Sequence, residues 1–157
     1  MPVLTPLFFA LFLPFSLFRT LDTAWSRPVL PPHQEVSIQQ TISVRDFLMT
    51  EINSFRKSKG LSPVSTDSYV CSFADIRAKE ISSAFNHDGF NNRINNHTLP
   101  YPSYRNIVEN LAQTSDFKNV VNMWINSSGH AQNLLADVIY GCVGNFGNFF
   151  AYEGWKP

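Results

Sequence analysis

From Ser43 onward, apolar residues recur at helical spacing, with Val44, Phe47, Leu48, Ile52 and Phe55 on one side of a 3.6-residue turn. Ser43 can cap the start and Gly60 suits the stop, so the pattern predicts a first helix with one buried face. After "SPVSTD" the pattern returns in Val70, Phe73, Ala74, Ala78 and Ile81, with Arg77, Lys79 and Glu80 mostly on the opposite side. This second helix is expected to end near Asn86 and His87. Residues 86–106 carry six Asn, two Pro and one Gly, which is loop chemistry with one short helical turn around Asn91 to Ile94.

After "IVENLA" the periodicity resumes. A third helix is expected from Ser115 and Asp116, burying Phe117, Val120, Val121 and Trp124, and a short helix follows Ser128 and Gly129. The C-terminal run "VIYGCVGNFGNFFAYEGW" has apolar and aromatic stretches on either side of residues 145–148, a hairpin signal. Helices precede strands with no βαβ alternation, so an α+β layered domain is predicted rather than a doubly wound sheet.

Residues before Ser43 carry different signals. Met1 to Phe18 has no charged side chain, and Ala24-Trp25-Ser26 supplies a small-x-small cleavage signal before Arg27. Residues 1–26 therefore read as a secretory signal peptide, 27–42 as a proline-rich linker or extended arm, and 43–157 as the domain. The alternative is an uncleaved anchor, although an apolar stretch of about 17 residues falls short of the roughly 20 a span needs. The chain is read as secreted, with no stable membrane span once the signal is removed.

Composition narrows the partners. Twelve Lys plus Arg balance twelve Asp plus Glu, and no segment concentrates positive charge, so nothing favours nucleic acid. Export also bears on Cys71 and Cys142. In an oxidising compartment they can pair, and the bridge would contribute about 4 kcal/mol in the chain-entropy model. Two buried free thiols are the alternative.

Several motifs then occur in order: "INSFRKSKGLSPV", "CSFADIRAKEI", "FNHDGF", "VENLA", "WINSSGHAQNLL" and "YGCVG". Over residues 44–157 the chain resembles the CAP superfamily of cysteine-rich secretory, antigen 5 and pathogenesis-related proteins, in its short bacterial-type SCP form. The resemblance implies an α-β-α sandwich with a three- or four-stranded antiparallel sheet between helical layers. It also implies a cleft in which His87 and His130 face each other beside Glu109. By the same likeness Trp124 anchors the core, Ser127 or Ser128 caps the short helix before Gly129, and Asn133 ties its loop to backbone; Asn110 belongs to the Glu109 motif. Ser127 stands where many animal and plant members carry a second cleft Glu, Val108 replaces a Gly, and Ser128 replaces a Pro.

Two imidazoles and a carboxylate form a chemically sensible Zn²⁺ site with an open position, and losing the second acid makes such binding weak. A hydrogen-bonded cluster in which Glu109 orients a histidine accounts for the same residues. The reading favoured by the missing nucleophile–base pair is an extracellular binding module for a lipid, a peptide or a cell-surface partner, able to hold a divalent metal. A metal-assisted hydrolase and an extracellular signalling or structural ligand are the alternatives. His33 and His97 are expected to be solvent-exposed, and Asn96 and Asn126 each open a glycosylation sequon.

Overall fold

A computed structural model of the protein describes residues 42–157. The expected signal peptide, its cleavage point after Ser26, most of the arm and His33 lie outside the described residues.

The first helix, α1 (Val44–Ser58), begins where the Ser43 hydroxyl accepts the Asp46 N–H and turns off at Lys59 and Gly60, whose φ is +77°. Helix α2 (Ser68–Ile81) is capped by Asp67, which accepts the Tyr69 N–H. It stops five residues earlier than the pattern suggested. The Ser82 hydroxyl donates to the Lys79 carbonyl, a local bond that competes with a further helical turn.

The Asn-rich segment holds more helix than its composition predicts: α3 spans Asp88–Asn95, not a single turn. Tertiary contacts override its poor propensity, because Phe90 stacks on Phe73 and Arg93 bonds Glu80 and the Gly89 carbonyl.

Strand β1 (Asn106–Gln113) carries no clean period-2 pattern because both of its faces are covered. A 3₁₀ turn capped by Asp116 leads into α4 (Val120–Ile125), and α5 (Ser128–Leu134) follows directly. Strands β2 (Tyr140–Phe146) and β3 (Phe149–Lys156) form the expected hairpin, with Gly147 at φ +57° in its turn. All pairing is antiparallel in the order β1-β3-β2.

The sheet separates two cores. On one face Val143, Phe150, Tyr152 and Ala112 meet Leu48 and Ile52 of α1, Trp124 of α4 and Leu134 of α5. On the other, Cys142, Trp155, Leu111 and Ala151 meet α2 and α3. Gly144 lets α2 lie directly on the sheet, since a Cβ there would sit 2.2 Å from the Ala74 carbonyl. Cys71 and Cys142 are bonded, which resolves the alternative of free thiols and staples α2 to β2. The architecture is α+β, with helices on both faces of a small antiparallel sheet.

Candidate functional site

Glu109 and Asn110 are neighbours on β1, so their side chains leave opposite faces of the sheet. Both are buried. Because β1 is an edge strand, residues from the two helical layers can meet at its border.

On the α2 side, Glu109 is held by Arg77, whose Nε donates to Oε2 at 2.6 Å and whose Nη2 donates to Oε1 at 3.3 Å. His87, just before α3, places Nδ1 2.8 Å from the same Oε1. A carboxylate can only accept, so Nδ1 carries the proton and donates, leaving Nε2 as the basic nitrogen. The His87 side chain is 46% exposed. Arg77 Nη2 also donates to the Asn86 carbonyl at 2.9 Å, so one guanidinium fixes both the carboxylate and the backbone leading into His87.

On the other side, α5 is tied to β1 by asparagines. Asn110 donates to the His130 carbonyl at 2.9 Å, while Asn133 donates to the Glu109 carbonyl and to Asn110 Oδ1, both at 2.9 Å. His130 is half-buried. Its pKa is lowered, first by that burial and then by the charge His87 would carry, so its imidazole is neutral at neutral pH.

The side-chain cap of α5 expected from Ser127 or Ser128 is not formed. Trp124 is buried and donates Nε1–H to the Leu111 carbonyl at 2.9 Å. Ser127 occupies the cap position of α5 without a side-chain capping bond, and Ser128 is the exposed first residue of that helix. Gly129 is exposed, and a Cβ there would meet nothing within 4 Å. His97, Asn96 and Asn126 are exposed.

Arg77 and Glu153 were not among the expected site residues. Arg77 does not lie on the polar side of α2; it is 2% exposed. A signal existed, since position 77 falls three, four and seven residues after Ala74, Phe73 and Val70 and so within the apolar stripe. Burial opposes its charge, but bonds and attraction from Glu109, then Glu80 and Glu153, outweigh this and raise its pKa further. Glu153 is fully buried opposite Glu109 in the β1–β3 register. Burial foremost, then the charge of Glu109, push its pKa well above the usual carboxyl range, and neither Glu153 oxygen has a hydrogen-bond partner. Glu80 completes the network by bonding Arg77 Nη1 at 2.6 Å and both terminal nitrogens of Arg93.

The donors left for a metal are few. Both Glu109 oxygens and His87 Nδ1 are committed, and among the described residues no three His, Cys, Asp or Glu side chains gather closely enough to hold an ion. His87 Nε2 and the neutral His130 imidazole are the available ligands. Glu109 stands behind His87 as the carboxylate that orients it.

A helix-flanked three-stranded sheet, with two histidines and an asparagine-tied glutamate at its edge, defines an SCP-type domain. The sequence pattern of CAP, the cysteine-rich secretory protein family, matches residues 49–139, and the chain belongs to this family. Its fold is similar to that of an SCP-domain-containing extracellular protein from Bacillus anthracis (TM-score 0.63, 21% identity, 73% of this chain). It is likewise similar to a cysteine-rich secretory protein from Staphylococcus aureus (0.62, 19%, 76% of this chain). The chain spans 40% of each of those two longer proteins. An outer surface protein from Borrelia burgdorferi matches over 73% of this chain and 96% of its own length, at TM-score 0.59 and 24% identity. Identities this low speak for the fold alone. A search of curated proteins found no match.

Proposed function

We propose that this protein is an extracellular CAP-domain binding module whose two edge histidines hold a divalent metal weakly. The observation that carries this reading is the state of Glu109: with Arg77 on both oxygens and His87 on one, it is an orienting group and a poor general base. The Cys71–Cys142 bridge suits an oxidising compartment. The extracellular and outer-surface descriptions of the structurally similar bacterial proteins point the same way. No helix among the described residues is long and apolar enough to cross a membrane. In this reading residues 1–26 are a signal peptide removed before Arg27, residues 27–42 are an arm, and the ligand is a lipid, a peptide or a cell-surface partner.

Zn²⁺ would be held by His87 Nε2 and His130, with Glu109 fixing the His87 tautomer; bound there, it would supply Lewis acidity. Two imidazoles fall short of the three protein ligands of a tight catalytic site, so weak binding is expected. Calorimetric titration of the parent, His87→Ala and His130→Ala with Zn²⁺ tests this. The parent should bind, each variant should lose binding, and affinity should fade as pH falls through the histidine range near 6.5. Equal binding by parent and variants places the metal elsewhere. Metal-dependent turnover of a peptide or ester that Glu109→Gln abolishes would establish the hydrolase reading instead.

A further inference from the structure

Arg56 lies in the buried stripe of α1 and is 4% exposed. Its Nε donates to the Ser62 carbonyl at 3.0 Å, and its Nη1 donates to the Leu134 and Ala136 carbonyls at 2.8 and 2.9 Å. Among the described residues no carboxylate pairs with it, and Nη2 has no hydrogen-bond partner. Nη2 is also not among the sealed, unbonded polar atoms. Arg56 lines a cavity of about 480 Å³ between the end of α1 and the segment joining α5 to β2. That volume is within the range of small-molecule sites.

The walls of the cavity have a consistent chemistry. Leu61, Pro63, Val138 and Ile139 are apolar, and Ser62 and Ser65 bring hydroxyls. Leu61 and Ile139 are 38% and 48% exposed, so apolar surface faces water at this place. Carbonyl dipoles offset only part of the cost of burying a cation, and an anion reaching Nη2 would gain a charge-assisted bond in a low-dielectric setting. Asp137 at the rim is already paired with Lys156 at 2.5 Å and would repel a dianion. None of His87, Glu109 and His130 lines this cavity, so it is separate from the histidine site.

We infer that this cavity is a second binding site, taking a monoanionic carboxylate with a short apolar body and using Arg56 as its charged anchor. The same chemistry is offered by a free alkanoic acid and by the C-terminus of a peptide ending in an apolar residue.

The test is an NMR titration of the ¹⁵N-labelled protein at fixed ionic strength with sodium hexanoate, hexan-1-ol, and acetyl-Gly-Leu as the free acid and as the amide. The expected result is saturable movement of the Ser65 and Ile139 amides and the Arg56 Nε–H with the two acids. The alcohol and the amide should bind at least about tenfold more weakly, a difference of 1.4 kcal/mol. Tighter binding of hexanoate than of the peptide acid assigns the site to free acids, and the reverse order assigns it to peptide termini. Replacing Arg56 endangers the fold, so the deciding variant is Ile139→Glu, which puts a negative charge at an exposed rim position and should remove binding without changing the melting temperature. Equal affinity for acid and alcohol, undiminished binding in folded Ile139→Glu, or no saturable movement would overturn the inference and leave Arg56 as a tie between loops.

Discussion

Two helices each bury one arginine within an apolar stripe, and the structure meets the two charges differently. Arg77 of α2 is held by two carboxylates, Glu109 and Glu80, which both bond its guanidinium. Arg56 of α1 meets three carbonyl oxygens and no acid among the described residues. The first charge is satisfied internally and fixes the histidine site. The second is only partly compensated and opens onto a cavity. A buried cation thus does not announce its own role; the groups that oppose it decide whether it is scaffold or anchor.

Removing each arginine sharpens this contrast. Arg77→Met leaves buried Glu109 without its cation, so the expected loss at neutral pH is about 3–5 kcal/mol in denaturant unfolding. That loss should shrink in acid, once the stranded carboxylate can take up a proton. Arg56→Met removes bonds to carbonyls alone, so its cost should be nearly the same at acid and neutral pH. A flat profile for Arg77→Met would break the comparison.

The disulfide sits on the Arg77 side of the sheet. Replacing both cysteines by alanine should cost up to about 4 kcal/mol in chemical unfolding, with the α2–β2 contact the first to loosen in hydrogen exchange.

Glu153 gives a smaller effect of opposite sign. Its folded pKa is raised, so the unfolded chain ionises first, near pH 4.3, and the stability that neutral Glu153 contributes is lost as pH rises from there toward the folded value. Glu153→Gln ionises in neither state. Its melting temperature should match the parent below about pH 4 and exceed it increasingly above.

The smallest expected effect is at His130. Its folded pKa is depressed, so its contribution is complete above the unfolded value near 6.5 and is lost as pH falls through that value toward the folded one. His130→Asn should flatten this part of the melting profile between pH 8 and pH 5, and an unchanged slope would remove His130 from the account.

What the sequence by itself determined was whatever depends on local chemistry and short spacing. The stripe of Leu48, Ile52 and Phe55, the caps at Ser43 and Asp116 and the Gly147 hairpin all act within a few residues, so the α+β architecture was legible, while the pairing of His87 with Glu109, 22 residues apart, was implied only by the family resemblance of the ordered motifs. Arg77 and Arg56 also stood in their stripes, but a helical pattern shows that a residue is turned inward and not what awaits it there. The length of α3, the register that sets Glu153 opposite Glu109, and the capture of both Glu109 oxygens were decided by tertiary structure. The reason is that hydrogen bonds and charges take their energy from partners 32 to 80 positions away in the chain, brought within 3 Å only when the sheet and both helical layers are assembled.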